Sequence, residues 1–122
     1  DWTAPLAELR RVLRPGGRLI ASVHHPAMYK LINPQADYFA VTQWSEQYEF
    51  SGQSAVLSYW HRPLHAMVED FRGAGFGISG ISEPPWAADT PPELLGPGFE
   101  GRTAFLSFIF FTLTALEAVA ET

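Results

Sequence analysis

A chain of 122 residues, 47% of them hydrophobic, suffices for one compact domain with a real core and is too short for two ordinary ones. The absence of cysteine excludes disulfides, thiolate nucleophiles and zinc–cysteine sites. Eight Lys and Arg against 13 Asp and Glu give a net charge of -5 with no basic cluster, which argues against both a nucleic-acid backbone and an anionic membrane surface as partners.

With no cysteine a cytoplasmic chain is the simpler reading, and no signal-peptide pattern is visible; the first residue is Asp1 rather than Met, and the expectation is that sequence precedes it. Leu6, Leu9 and Leu13 fall on one helical face, and Pro5 suits a first turn. Arg10, Arg11 and Arg14 favour the carboxyl end of that helix dipole, and Pro15-Gly16-Gly17 stops it. A strand over Arg18 to Val23 follows at once. It is apolar on both faces, as in an interior strand of a parallel sheet covered by helices on both sides.

Residues 26–62 mix aromatics with Asn, Gln, Ser and Gly and show no sustained helical period. They read as an insertion in which Gln47 to Phe50 and Ser54 to His61 pair around Ser51-Gly52-Gln53. Pro63 then opens a helix with Leu64, Met67, Val68 and Phe71 on one face, ended by Gly73 and Gly75. Phe76 to Ser82 reads as a strand, Glu83 to Gly101 as a long Pro- and Gly-rich loop, and Thr103 to Leu113 as the final strand. Thr103 to Ala120 is the one stretch that could mimic a membrane span, but Thr112, Thr114 and Glu117 interrupt it and its apolar part is shorter than the ~20 residues a bilayer needs.

The segment from Arg11-Val12-Leu13-Arg14-Pro15-Gly16-Gly17 into its strand resembles the "RVLxPGG" of class I S-adenosylmethionine-dependent methyltransferases. Asp1-Trp2-Thr3-Ala4-Pro5-Leu6, Ser22-Val23-His24-His25-Pro26, Tyr59-Trp60-His61-Arg62-Pro63-Leu64 and Arg72-Gly73-Ala74-Gly75-Phe76 extend the likeness over roughly Asp1 to Leu113. The resemblance implies an α/β chain of one domain, residues 1–122. It would be the carboxyl-terminal half of such an enzyme, with a partial Rossmann-like sheet of strands 5, 7 and 6, flanking helices and an aromatic-rich insertion at 26–62. In that family the sheet order is 3-2-1-4-5-7-6, with strand 7 antiparallel, and S-adenosylmethionine is held by the first four strands. The parent would therefore use S-adenosylmethionine to methylate a small-molecule acceptor, whereas the isolated chain should neither bind the cofactor nor be active.

Residue chemistry agrees with that division. No glycine-rich turn lies between a strand and a helix, and Gly73-Ala74-Gly75-Phe76-Gly77 sits in the reverse context. His24 and His25, the candidate catalytic residues, fall at the carboxyl end of a strand, where open α/β sheets place ligands and a neutral imidazole could accept a proton. Strand alternation would turn the two rings to opposite faces, so at most one could enter the crevice, and a strand end capped by Pro26 needs no catalytic explanation. Tyr59, Trp60, His61 and Arg62 are candidate substrate contacts, with aromatic faces for an apolar acceptor and Arg62 for a carboxylate. Packing of the hairpin accounts for the aromatics equally well.

His61 and His65 lack a third ligand, so no metal site is expected. Glu46, Glu49, Glu69 and Asp70 read as solvated surface. A bare edge on the Arg18 to Val23 strand suggests a homodimer joined there. A non-enzymatic assembly module and a small-ligand-binding module are the alternative functions.

Overall fold

The computed structural model describes residues 1–94 and 106–117. Helix α1 (Thr3–Val12) leads through the Pro15-Gly16-Gly17 turn into β1 (Arg18–His24). Gly16, at φ 82, takes the left-handed conformation this turn needs, and its N–H reaches the Ala115 carbonyl at 2.8 Å. Helix α2 (Pro26–Ile32) and a hairpin of β2 (Thr42–Phe50) and β3 (Gln53–His61) follow, then α3 (Leu64–Gly73), β4 (Phe76–Ser82), a 3₁₀ turn (Pro92–Leu94) and β5 (Phe108–Ala115).

The main sheet has the order β1-β5-β4, with β5 antiparallel to both neighbours, so β1 and β4 run in the same direction. Alternation along β5 turns Ile109, Phe111, Leu113 and Ala115 to one face, each 1% exposed or less. Register places Val23, Ala21 and Leu19 of β1 opposite Ile109, Phe111 and Leu113. Leu6 of α1 and Met67 and Phe71 of α3 cover this face, and Phe76 of β4 completes the core. Full burial of one such side chain stabilises the fold by roughly 1.5–3 kcal/mol.

Both helices cover the same face, which corrects the expectation of an interior strand buried on two sides. On the other face Ile20 is 70% exposed. Among the described residues β1 pairs with β5 alone, so it is an edge strand here. The apolar run in its sequence reports a face on which Ile20 stays exposed among the described residues.

The hairpin is longer than its residue pattern indicated, with Thr42 opposite His61 and Phe50 opposite Gln53. The turn is Ser51-Gly52 rather than three residues. Both have positive φ, 49 and 81, as a type I′ turn requires. Helix α2 replaces the irregular start expected for the insertion. It spans seven residues and buries only Pro26 and Tyr29, too short a stripe to show a period. The last strand begins at Phe108 and reaches Ala115, two residues beyond the expected end; Thr103 to Phe105 of that expectation lie outside the described residues.

Candidate functional site

β1 delivers two histidines to the open end of the main sheet, and each meets a different fate. The strand ends at His24, so alternation does not extend to His25, which instead caps α2. Its Nδ1 accepts the Ala27 N–H at 3.1 Å, so the ring proton sits on Nε2 and is donated to Glu83 Oε2 at 2.5 Å. Both nitrogens of His25 are thereby committed, and the side chain is 10% exposed. It ties the end of β1 to the residue that follows β4. This chemistry is that of a positioning residue, not of a base.

His24 is half-buried between the rings of Tyr59 and Phe108, at centroid distances of 4.9 and 5.3 Å. Burial pushes its pKa below the ordinary imidazole value, against a smaller opposing pull from Glu46. Neither ring nitrogen has a hydrogen-bond partner among the described residues. A neutral imidazole with free nitrogens can accept a proton, so His24 is the one of the pair with unused capacity.

These residues border a cleft of about 310 Å³ between the end of β1, the start of α2 and the base of the hairpin. All six residues singled out in the sequence border it: His24, His25, Tyr59, Trp60, His61 and Arg62. Both histidines border it, and of the two only the His24 ring has nitrogens without a hydrogen-bond partner among the described residues. The hairpin register sets Trp44 directly opposite Tyr59, with ring centroids 5.0 Å apart. Trp60, one residue on, alternates to the other face of the hairpin and is 58% exposed.

His61 is buried, stacks on Tyr29 at 4.2 Å and donates Nε2–H to the Tyr38 carbonyl at 2.7 Å. The Tyr38 hydroxyl in turn accepts the Leu64 N–H, an orphan donor of the first turn of α3. Arg62 lies over the Trp2 ring, 5.0 Å from its centroid, and faces Asp70 of α3 at 3.6 Å. Its Nε is buried without a hydrogen-bond partner.

Two carboxylates read as solvated surface are engaged instead. Glu46 accepts from the Tyr48 hydroxyl at 2.7 Å and acts electrostatically on His24, while Asp70 meets Arg62. Burial, helped by Tyr59 and Glu46, pushes the Tyr48 hydroxyl pKa well up, so it stays protonated as a donor. Trp2, Tyr29, Trp44 and Phe108 were not singled out as pocket residues. Only Trp44 carried a usable signal, since the correct two-residue turn would have placed it opposite Tyr59. Among the described residues no group of three metal-ligating side chains exists, and no helix is long and apolar enough to cross a membrane.

No protein-family profile and no curated protein sequence matches the chain. A solved structure does. It is a Listeria monocytogenes protein described as a candidate S-adenosylmethionine-dependent methyltransferase, with a TM-score of 0.64 and 18% identity over 96% of this chain. The likeness is one of fold. The chain has the α/β fold of that protein and spans 56% of its length.

Among the described residues no positive-φ glycine forms a turn from a strand into a helix, the arrangement that lets a backbone approach a nucleotide-like cofactor. Among the described residues, the glycines with positive φ are Gly16, Gly52 and Gly75; two enter strands from helices and one turns a hairpin. The strand-to-helix junctions that border the cleft, His25-Pro26 and Arg62-Pro63, contain no glycine.

Proposed function

We propose that the chain is the carboxyl-terminal, acceptor-binding part of an S-adenosylmethionine-dependent methyltransferase, its β1, β5 and β4 being strands 5, 7 and 6 of that fold. The fold likeness and its coverage of 56% of the neighbour support this reading. The observation that carries it is His24, a neutral imidazole with free nitrogens, set between aromatic rings at the carboxyl end of a strand. In this reading Trp44 and Tyr59 hold a planar small molecule, and His24 takes a proton from its nucleophilic group. Methyl donation is assigned to none of these residues.

Fluorescence titration of the whole chain with benzamide, a neutral planar probe, tests the cleft through its own tryptophans. Saturable quenching that weakens in Trp44→Leu is expected; no quenching up to millimolar concentration by benzamide, by its acid benzoate or by phenyl phosphate would overturn the reading. Calorimetry with S-adenosylmethionine is expected to give no binding, and micromolar binding to the chain alone would overturn the assignment to the acceptor side.

A second reading rests on the open edge of β1, where backbone donors and acceptors face outward beside exposed Ile20. We propose self-association there as a two-fold dimer. Light scattering coupled to size exclusion should show mass rising with concentration, and a monomer throughout the micromolar range would refute it.

A further inference from the structure

Arg62 is out of balance with its surroundings. Its side chain is 11% exposed, yet its guanidinium, with five N–H donors, makes no hydrogen bond to any described residue. The Asp70 carboxylate lies 3.6 Å away, beyond hydrogen-bond reach. Taking a cation out of water without hydrogen bonds in return is costly, and folded proteins retain such an arrangement where a ligand supplies them. Trp2 lies against the guanidinium face at 5.0 Å and Nε is buried, which leaves the edge formed by the two Nη groups as the part a partner can meet.

We propose, building on the acceptor-cleft reading, that the ligand of this cleft is an aromatic monocarboxylate, its ring held by Trp44 and Tyr59 and its carboxylate received by Arg62. A carboxylate is planar and matches the guanidinium fork with two parallel hydrogen bonds. Among the described residues Arg62 is the one Lys or Arg lining the cleft, and Asp70 already offsets part of its charge, so a single negative charge suits the site better than a phosphate dianion. A cleft of about 310 Å³ lies at the small end of ligand sites, which fits an acid of one or two rings.

The test compares benzoate, benzamide and phenyl phosphate by quenching of tryptophan fluorescence on the whole chain, with circular dichroism confirming the fold of each variant. Benzoate is expected to bind roughly ten- to a hundredfold more tightly than benzamide, as for hydrogen bonds to a charged group. Arg62→Gln should abolish that preference while benzamide still binds, and Arg62→Lys, which keeps the charge and loses the fork, should restore only part of it. Equal binding of benzoate and benzamide to the unmodified chain would overturn the proposal, as would a preference that survives Arg62→Gln. Tighter binding of phenyl phosphate than of benzoate would overturn the monoanion assignment. If the Arg62 variants do not fold, the ratio on the unmodified chain decides. Absence of binding by every probe would instead refute the acceptor-cleft reading itself.

Discussion

Replacing His25 separates its capping role from its bond to Glu83. His25→Ala removes the acceptor for the Ala27 N–H, and a lost N-cap costs about 1 kcal/mol. It also removes the donor to Glu83 and the packing of a ring 10% exposed. Glu83 is half-exposed and rehydrates, so these two losses together add about 1–2 kcal/mol. The expected total is about 2–3 kcal/mol, which at a urea slope of about 1–2 kcal/mol per molar moves the midpoint down by about 1–3 M. His25→Asn restores a good cap acceptor without reaching Glu83, and should recover about 1 kcal/mol of the loss. Glu83→Gln keeps an acceptor for Nε2–H and should cost less than either. Urea unfolding followed by circular dichroism reads all three. A His25→Asn variant as unstable as His25→Ala, or a His25→Ala midpoint within error of the unmodified chain, would refute the assignment of His25 as cap and tie.

Phe71, 1% exposed and in ring contact with Trp2 and Phe111, is central to the core; Phe71→Ala should cost about 3–5 kcal/mol by urea unfolding, and Phe71→Leu markedly less. In the hairpin turn Ser51→Asn should stabilise by about 0.5 kcal/mol, because asparagine tolerates positive φ better. Gly52→Ala should destabilise by about 1 kcal/mol or more; the added Cβ meets nothing within 4 Å, so the effect is conformational. The folded state resists protonation of His24, so the unfolded state binds more protons below the ordinary value of 6.5. Its contribution to stability is therefore complete above that value and falls as pH drops through the lowered pKa of His24. Melting temperature measured across that range should decline less steeply in His24→Gln than in the unmodified chain, and parallel profiles would contradict the burial of His24.

Elements whose signals are local were legible in the sequence. Pro15-Gly16-Gly17 marks the end of α1, and Phe76 to Ser82 coincides with β4, because helix stops and short apolar runs are properties of neighbouring residues. What depends on partners was not. Ile20 reads as core until the placement of α1 and α3 on one face is known, and Glu46 and Asp70 read as surface until the hairpin and α3 bring them to His24 and Arg62. The Ser51-Gly52 turn was misjudged by one residue, and that error hid the pairing of Trp44 with Tyr59. His24 and His25 were legible as a strand end; their division of labour was not, since it depends on Glu83, 58 residues away from His25.

The central claim, that this chain holds an acceptor cleft and not the cofactor half, is tested most directly by the indole N–H signals in an ¹⁵N–¹H spectrum of the whole chain. Trp2, Trp44 and Trp60 border the cleft, whereas Trp86 lines a neighbouring cavity with Pro84 and Pro85 on the far side of Phe108, so the fourth tryptophan serves as the comparison signal. Titration with benzoate should move the three cleft signals along one saturable curve and leave Trp86 in place, and S-adenosylmethionine should move none of them at submillimolar concentration. Saturable shifts with S-adenosylmethionine, or a benzoate response confined to Trp86, would contradict the account.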